Sequence, residues 1–91
     1  MFIKYKFVHQ DPNIINTLYM NVETVEFNAA LDGCVVRMAN EYLAYVNGDD
    51  IPVFMAALDR GDPVIDFNQF SDESSFCTRY GDRLPKAEGD N

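Results

Sequence analysis

The chain has 91 residues, fifteen acidic against seven basic, for a net charge of −8, and 47% of it is aliphatic or aromatic. A chain this short builds one domain, buries only about 60–65% of its unfolded surface and has no room for a deep cleft of its own. The apolar fraction excludes full disorder, and the acidic balance argues against direct nucleic-acid binding, which needs a surface of Lys and Arg.

From residue 2 to residue 9 the chain alternates. Ile3, Tyr5 and Phe7 form an apolar face, and Lys4 and Lys6 point away. This predicts a half-buried strand. Lysines on its outer face suit a sheet edge, where they discourage stray pairing. His9, the only histidine, reads as a solvated residue at the strand end, since metal sites need several ligands. Pro12, Asn13 and Asn16 mark a turn. Residues 18–21 predict a second strand, Asn21 caps one helical turn over 22–25, and residues 26–30 resume extended structure. Asp32-Gly33 is a turn pair. Residues 34–38 and 42–46 make the best hairpin pattern in the chain, reversed at Ala39-Asn40-Glu41.

Asn47-Gly48 ends that hairpin. Asp49 and Asp50 offer caps for a helix over 49–60, with Pro52 in its first turn. Ile51, Phe54, Met55 and Leu58 recur at three- and four-residue spacing and predict its buried stripe. Gly61 and Pro63 stop it. Residues 64–67 are extended. Beyond them Phe67, Phe70, Phe76 and Tyr80 are too many aromatics for a free linker. Ser71-Asp72-Glu73-Ser74 resembles a helix start, so a short helix over 72–80 is expected, with Phe76 and Tyr80 on one face. Residues 85–91, with Pro, Gly and charge, predict a mobile terminus. The expected fold is α+β: a small twisted antiparallel sheet of four to five strands covered by one amphipathic helix. A single domain over 1–67 then carries an aromatic tail over 68–84, docked on its surface or on a partner.

The run MNVETVEFNAALDGCVVRM followed by EYLAYVNGDDIPVFMAAL resembles the small FlbD-type flagellar proteins and related short bacterial and phage proteins. That pattern is a strand, an Asn with a hydrophobic turn, a Glu beside an apolar residue, a hairpin of variable tip and a short helix. Asn21, Val25-Glu26-Phe27, Val35-Val36, Tyr45-Val46 and Leu58 hold those places. The tip departs from the pattern, with Asn40-Glu41 in place of a Gly-containing turn, and nothing after Gly61 has a counterpart. The resemblance implies the same fold and a non-enzymatic, cytoplasmic regulatory or accessory role.

No catalytic constellation is legible. Cys34 lies in an apolar strand, where a thiol is usually inert packing. Cys77 stands near Arg79, which favours a thiolate, yet no second histidine or glycine-rich elbow accompanies it. Neither cysteine sits in a CxxC, so free thiols of a reducing cytoplasm are expected and no metal or cofactor is implied. The start has no signal-peptide pattern, and no apolar stretch approaches the roughly 18 residues of a membrane helix.

The acids are uneven: Asp49, Asp50, Asp59, Asp62 and Asp66 crowd the helix and its exit, against Arg60 alone. Capping accounts for the first two. A solvated helix end accounts for Asp59, Asp62 and Asp66 in the simplest way; in functional terms they form an acidic patch that meets Lys and Arg on a partner. The expected partner-binding residues are therefore Asp59, Asp62 and Asp66, with Phe70, Phe76 and Tyr80 of the tail. Phe67 and Phe70 are expected to dock on the chain's own sheet, and Phe76 and Tyr80 to complete a homodimer contact. The first functional expectation is an acidic protein-binding module, an inhibitor or adaptor that occupies a basic surface of a partner protein. Its sharpest form is a phage-encoded inhibitor of a host nucleic-acid enzyme. The second is a small cytoplasmic accessory protein of the flagellar-like class, or a self-assembling structural subunit.

Overall fold

The computed structural model of the protein describes residues 1–8, 11, 13–28, 30 and 32–87. His9, Pro12 and residues 88–91 of the expected terminus lie outside the described residues.

The first alternating segment forms strand β1, Phe2–Val8, with Ile3 and Tyr5 buried and Lys4 and Lys6 on the outer face. Strand β2, Ile15–Asn28, is the longest element. The helical turn expected at 22–25 does not form. Val22 and Val25 instead pair with Met38 and Val36 of β3, Gly33–Met38, across a bulge between Val22 and Thr24. A single helical turn has no cooperativity to hold it, whereas β-branched Val22, Thr24 and Val25 pack well on a pleated surface. Residues 15–21 of β2 pair with β1 and residues 22–28 with β3, so the bulge carries the sheet round a corner.

β3 and β4, Leu43–Asn47, form the expected hairpin. Its tip is tight, with Asn40 and Glu41 at φ of 62° and 65°. A reversal that matches the twist of the strands needs both residues in this left-handed region. Asn tolerates it, and Glu pays roughly 1–2 kcal/mol. At the other end of β3 the Tyr45 ring lies across Gly33, so close that a Cβ there would sit 2.4 Å from the ring.

Helix α1, Ile51–Arg60, leads through Gly61 into β5, Val64–Asp66, which pairs with β1 in parallel. β1 is thus flanked on both sides, which corrects its expected edge position. The helix expected over 72–80 is also absent. Ser75–Cys77 forms β6, antiparallel to β4, with Phe76 opposite Ala44. The sheet order is β5-β1-β2-β3-β4-β6. The class is α+β as expected, with six strands because two lie in what reads as helix exit and tail.

The chain end then closes the sheet on itself. Leu84 donates its backbone N–H to Phe76 at 2.8 Å, Val8 donates to Pro85 at 2.9 Å and Ala87 donates to Lys6 at 3.0 Å. Residues 83–87 therefore bridge β6 to β1. The Asn68 side chain extends the same ladder: it accepts from the Lys6 N–H at 2.7 Å and donates to the Lys6 carbonyl at 2.9 Å. The expected mobility of 85–91 is corrected over 85–87 by these bonds.

The interior of this ring is aromatic. Tyr5 and Phe76 stack with centroids 4.7 Å apart, Phe67 meets both edge-on, and Phe70 links Phe67 to Phe54 of α1. The Tyr5 hydroxyl donates to the Leu84 carbonyl at 2.8 Å, and burial pushes the phenol up to about 12. Phe54, Phe67, Phe70 and Phe76 are at most 2% exposed. Each contributes about 1.5–3 kcal/mol of burial. A domain boundary at residue 67 would cut through this core, so the run from 68 to 87 belongs to the domain.

Candidate docking surface

α1 is built from eight consecutive apolar residues, 51–58. A surface helix normally sets polar residues opposite its buried stripe. Here Phe54 and Ala57 are buried, Ile51 and Leu58 partly so, and Pro52, Val53, Met55 and Ala56 are exposed. Met55 is 45% exposed, which corrects its place in the expected stripe; Ala57 takes it instead. A helix apolar all round ordinarily has cover on every side. In this chain the outer face of α1 has none among the described residues.

The helix is rigidly held. A short 3-10 turn, Gly48–Asp50, precedes it, and Asn47 accepts from the Asp49 N–H at 3.1 Å. Asp50 makes no capping bond to α1, contrary to the expected role. Its Oδ2 reaches across to the C-terminal run and accepts from the Ser74 hydroxyl at 2.6 Å, the Ser71 hydroxyl at 2.8 Å and the Ser71 N–H at 3.0 Å. Burial pushes the Asp50 carboxyl up, but the Ser74 and Ser71 hydrogen bonds, with Lys86 nearby, outweigh it and hold the group below its usual range. At the other end Gly61, at φ 71°, donates to Leu58, and Asp62 donates to Ala57. This pair of hydrogen bonds closes the helix at a left-handed glycine.

Acids stand at both ends of the apolar face. Asp49 is exposed at its start and Asp59 at its end, and the Asp59 carboxylate makes no hydrogen bond or ion pair among the described residues. The patch expected from Asp59, Asp62 and Asp66 is less uniform. Arg60 grips Asp62 at 2.7 Å and holds its carboxyl below the usual range. Asp66 accepts from the Asn68 N–H at 3.0 Å and stands opposite Lys4 in register. The three carboxylates lie along the path from α1 through β5, and Asp59 alone is uncommitted.

The tail residues divide. Phe70 and Phe76 are 2% and 0% exposed, which corrects their assignment to a partner contact; both fill the chain's own core. Tyr80 is 76% exposed. It sits on a turn that Thr78 ties together, through its N–H to Asp82 at 2.9 Å and its carbonyl to the Gly81 N–H at 2.9 Å. Arg79 packs on the Tyr80 ring at 5.0 Å and donates to its hydroxyl at 2.9 Å. Apolar Leu43, Tyr45 and Val35 form a shallow depression beside this turn, with Cys77 at its edge.

Buried Cys34 has its thiol pushed up to about 11 by burial, only partly opposed by a backbone hydrogen bond from Glu26, so it is a poor nucleophile at neutral pH. Among the described residues no group of three or more His, Cys, Asp or Glu is placed to hold a metal ion. No helix among them is long and apolar enough to cross a membrane.

Spacing alone directs attention to the acids and the tail aromatics and misses Val53 and Met55. The signal was present as an uninterrupted apolar run, which a helix packed on one side only has no use for. Comparison with protein-family models, with curated proteins and with solved structures finds no match.

Proposed function

We propose that this chain is a non-enzymatic, cytoplasmic protein-binding module, an inhibitor or adaptor that docks through the outer face of α1 on a surface with an apolar centre and basic rim. One observation carries the reading: α1 exposes Pro52, Val53, Met55 and Ala56 between acids at both ends. Protein interfaces share that layout, an apolar centre ringed by polar groups. The acids steer the encounter and set orientation, and the apolar face supplies affinity. Tyr80, stiffened by Arg79, is a second anchor of the residue types that dominate binding energy. Occupation of a nucleic-acid enzyme's basic surface is the sharpest form of the proposal, and it fits the net charge of −8. An accessory role of the flagellar-like class rests on the resemblance of residues 1–60.

A photo-crosslinking residue placed at Ala56 tests this in the native cell, with Glu73, exposed on the C-terminal run, as control. A discrete protein adduct from Ala56 and none from Glu73 is expected, and Met55→Glu should abolish it while leaving the melting curve in place. Equal labelling from both positions would refute α1 as the docking surface.

A further inference from the structure

We infer that the surface facing α1 in an assembly is the outer face of β1 and β2 on a second copy of this chain. The inference rests on the outer face of α1 being the docking surface, as above, and takes a second copy of this chain, in place of a nucleic-acid enzyme, as what covers it.

The outer face of β1 and β2 is apolar like that of α1 and carries charge of the opposite sign. Phe2, Tyr19 and Ile15 stand on it, 43%, 54% and 56% exposed. Lys4 and Lys6 stand between them, opposite Tyr19 and Thr17 in register. Lys4 lies 6.0 Å over the Tyr19 ring, and neither lysine forms an ion pair among the described residues. The lysines are not edge guards, because β1 is bonded on both sides. They are two cations set among exposed apolar side chains in a chain of net charge −8, with Asp66 of β5 beside Lys4 in register and no acid paired with Lys6 among the described residues. α1 carries the complement, an apolar strip with Asp49 before it and Asp59 near its end. A ten-residue helix is about 15 Å long, and a seven-residue strand about 23 Å, so the strip fits within the length of β1.

The two surfaces are distinct, with the aromatic core between them. Phe54 of α1 reaches Phe70, Phe70 reaches Phe67, and Phe67 meets Tyr5 on the inner side of β1. Lys4 and Lys6 project from the other side of that strand, since successive side chains alternate. Copies therefore join head to tail, each using one surface as donor and one as acceptor. Such a contact forms a ring if the rotation closes and a chain if it does not. Repulsion between copies of like net charge is screened beyond about 8 Å at physiological ionic strength, while contacts across the interface are closer than that.

Two variants test the arrangement by sedimentation velocity at physiological salt. One breaks the helix face, with Met55→Glu and Asp59→Lys. The other breaks the sheet face, with Lys4→Glu and Lys6→Glu. All four positions are on the surface, and thermal melts check that both variants fold. The unaltered chain should form species above monomer mass, increasingly with concentration. Each variant alone should be monomeric. Their equimolar mixture should form a dimer and nothing larger, because it retains one intact helix face and one intact sheet face. A monomeric unaltered chain, or an unaltered chain that assembles while the mixture does not, overturns the inference. The Ala56 crosslink separates the two readings. An adduct of twice the chain's mass supports the second copy. An adduct with a different protein alone overturns the second copy and leaves the docking face standing, and no adduct overturns both.

Discussion

The hairpin β3–β4 and the run from Phe67 to Ala87 reach the same core by opposite routes. The hairpin is local: its two strands are joined by one tight turn, and alternation puts Cys34, Val36, Ala44 and Val46 inward. The C-terminal run is bound by partners far away in sequence. Phe76 pairs across to Ala44, Asn68 and Ala87 bond to Lys6, and Ser71 and Ser74 bond to Asp50. A local element needs only its own pattern to form. A closing segment needs every other strand in place first, because loop closure must precede the contacts that reward it.

The contrast is broken most severely by removing the closing run. Truncation after Gln69 removes Phe70, Phe76, β6 and the bridge over 83–87. A single large-to-small change, Phe76→Ala, should cost about 3–5 kcal/mol, against a total stability of roughly 5–14 kcal/mol for a chain of this size. The truncated chain should therefore show no cooperative urea transition by circular dichroism. A cooperative transition would mean that residues 1–69 fold alone and that the run is an appendage after all.

A smaller effect probes the link between α1 and that run. Asp50→Ala removes a charged acceptor of three hydrogen bonds and should cost about 1.5–3 kcal/mol at neutral pH. The carboxyl is held low in the folded state, so its contribution is full above its ordinary value of 3.8 and is lost as pH falls through the lower folded value. Urea midpoints measured from pH 7 down to pH 2 should converge for the two proteins at the acid end. A constant gap at all pH values would assign the loss to packing.

The smallest effect belongs to the hairpin and has the opposite sign. Glu41→Gly relieves a left-handed φ that glycine adopts freely and should raise stability by roughly 0.5–1 kcal/mol. The melting temperature should rise by a few degrees. A fall would show that the Glu41 side chain contributes more than its backbone strain costs.

Strands and helix were legible where one local pattern sufficed. Alternation placed Ile3 and Tyr5 inward, the turn residues bracketed β3 and β4, and Gly61 stopped α1 in the left-handed conformation that glycine favours. Of the proposed docking surface, Asp59 was legible as an uncommitted acid at the helix end. Val53 and Met55 were not, because spacing marks an apolar stripe without saying where it stops, and only packing decides which half of an all-apolar helix finds cover. The same limit applies to the tail. Phe76 and Tyr80 read as one helical face at i, i+4, yet one is 0% exposed and the other 76%. Strand pairing with Ala44 carries Phe76 inward and ends at Cys77, where the Thr78 turn throws Tyr80 out. The sequence by itself determined the class, the hairpin and the helix stop, since those depend on neighbours a few residues away, while the helix start expected at Asp49 falls at Ile51, after a separate 3-10 turn. Tertiary structure alone decided that the chain end closes the sheet, that β1 is an interior strand, and that the outer face of α1 is left bare. Each of those depends on groups that meet only after the chain has folded.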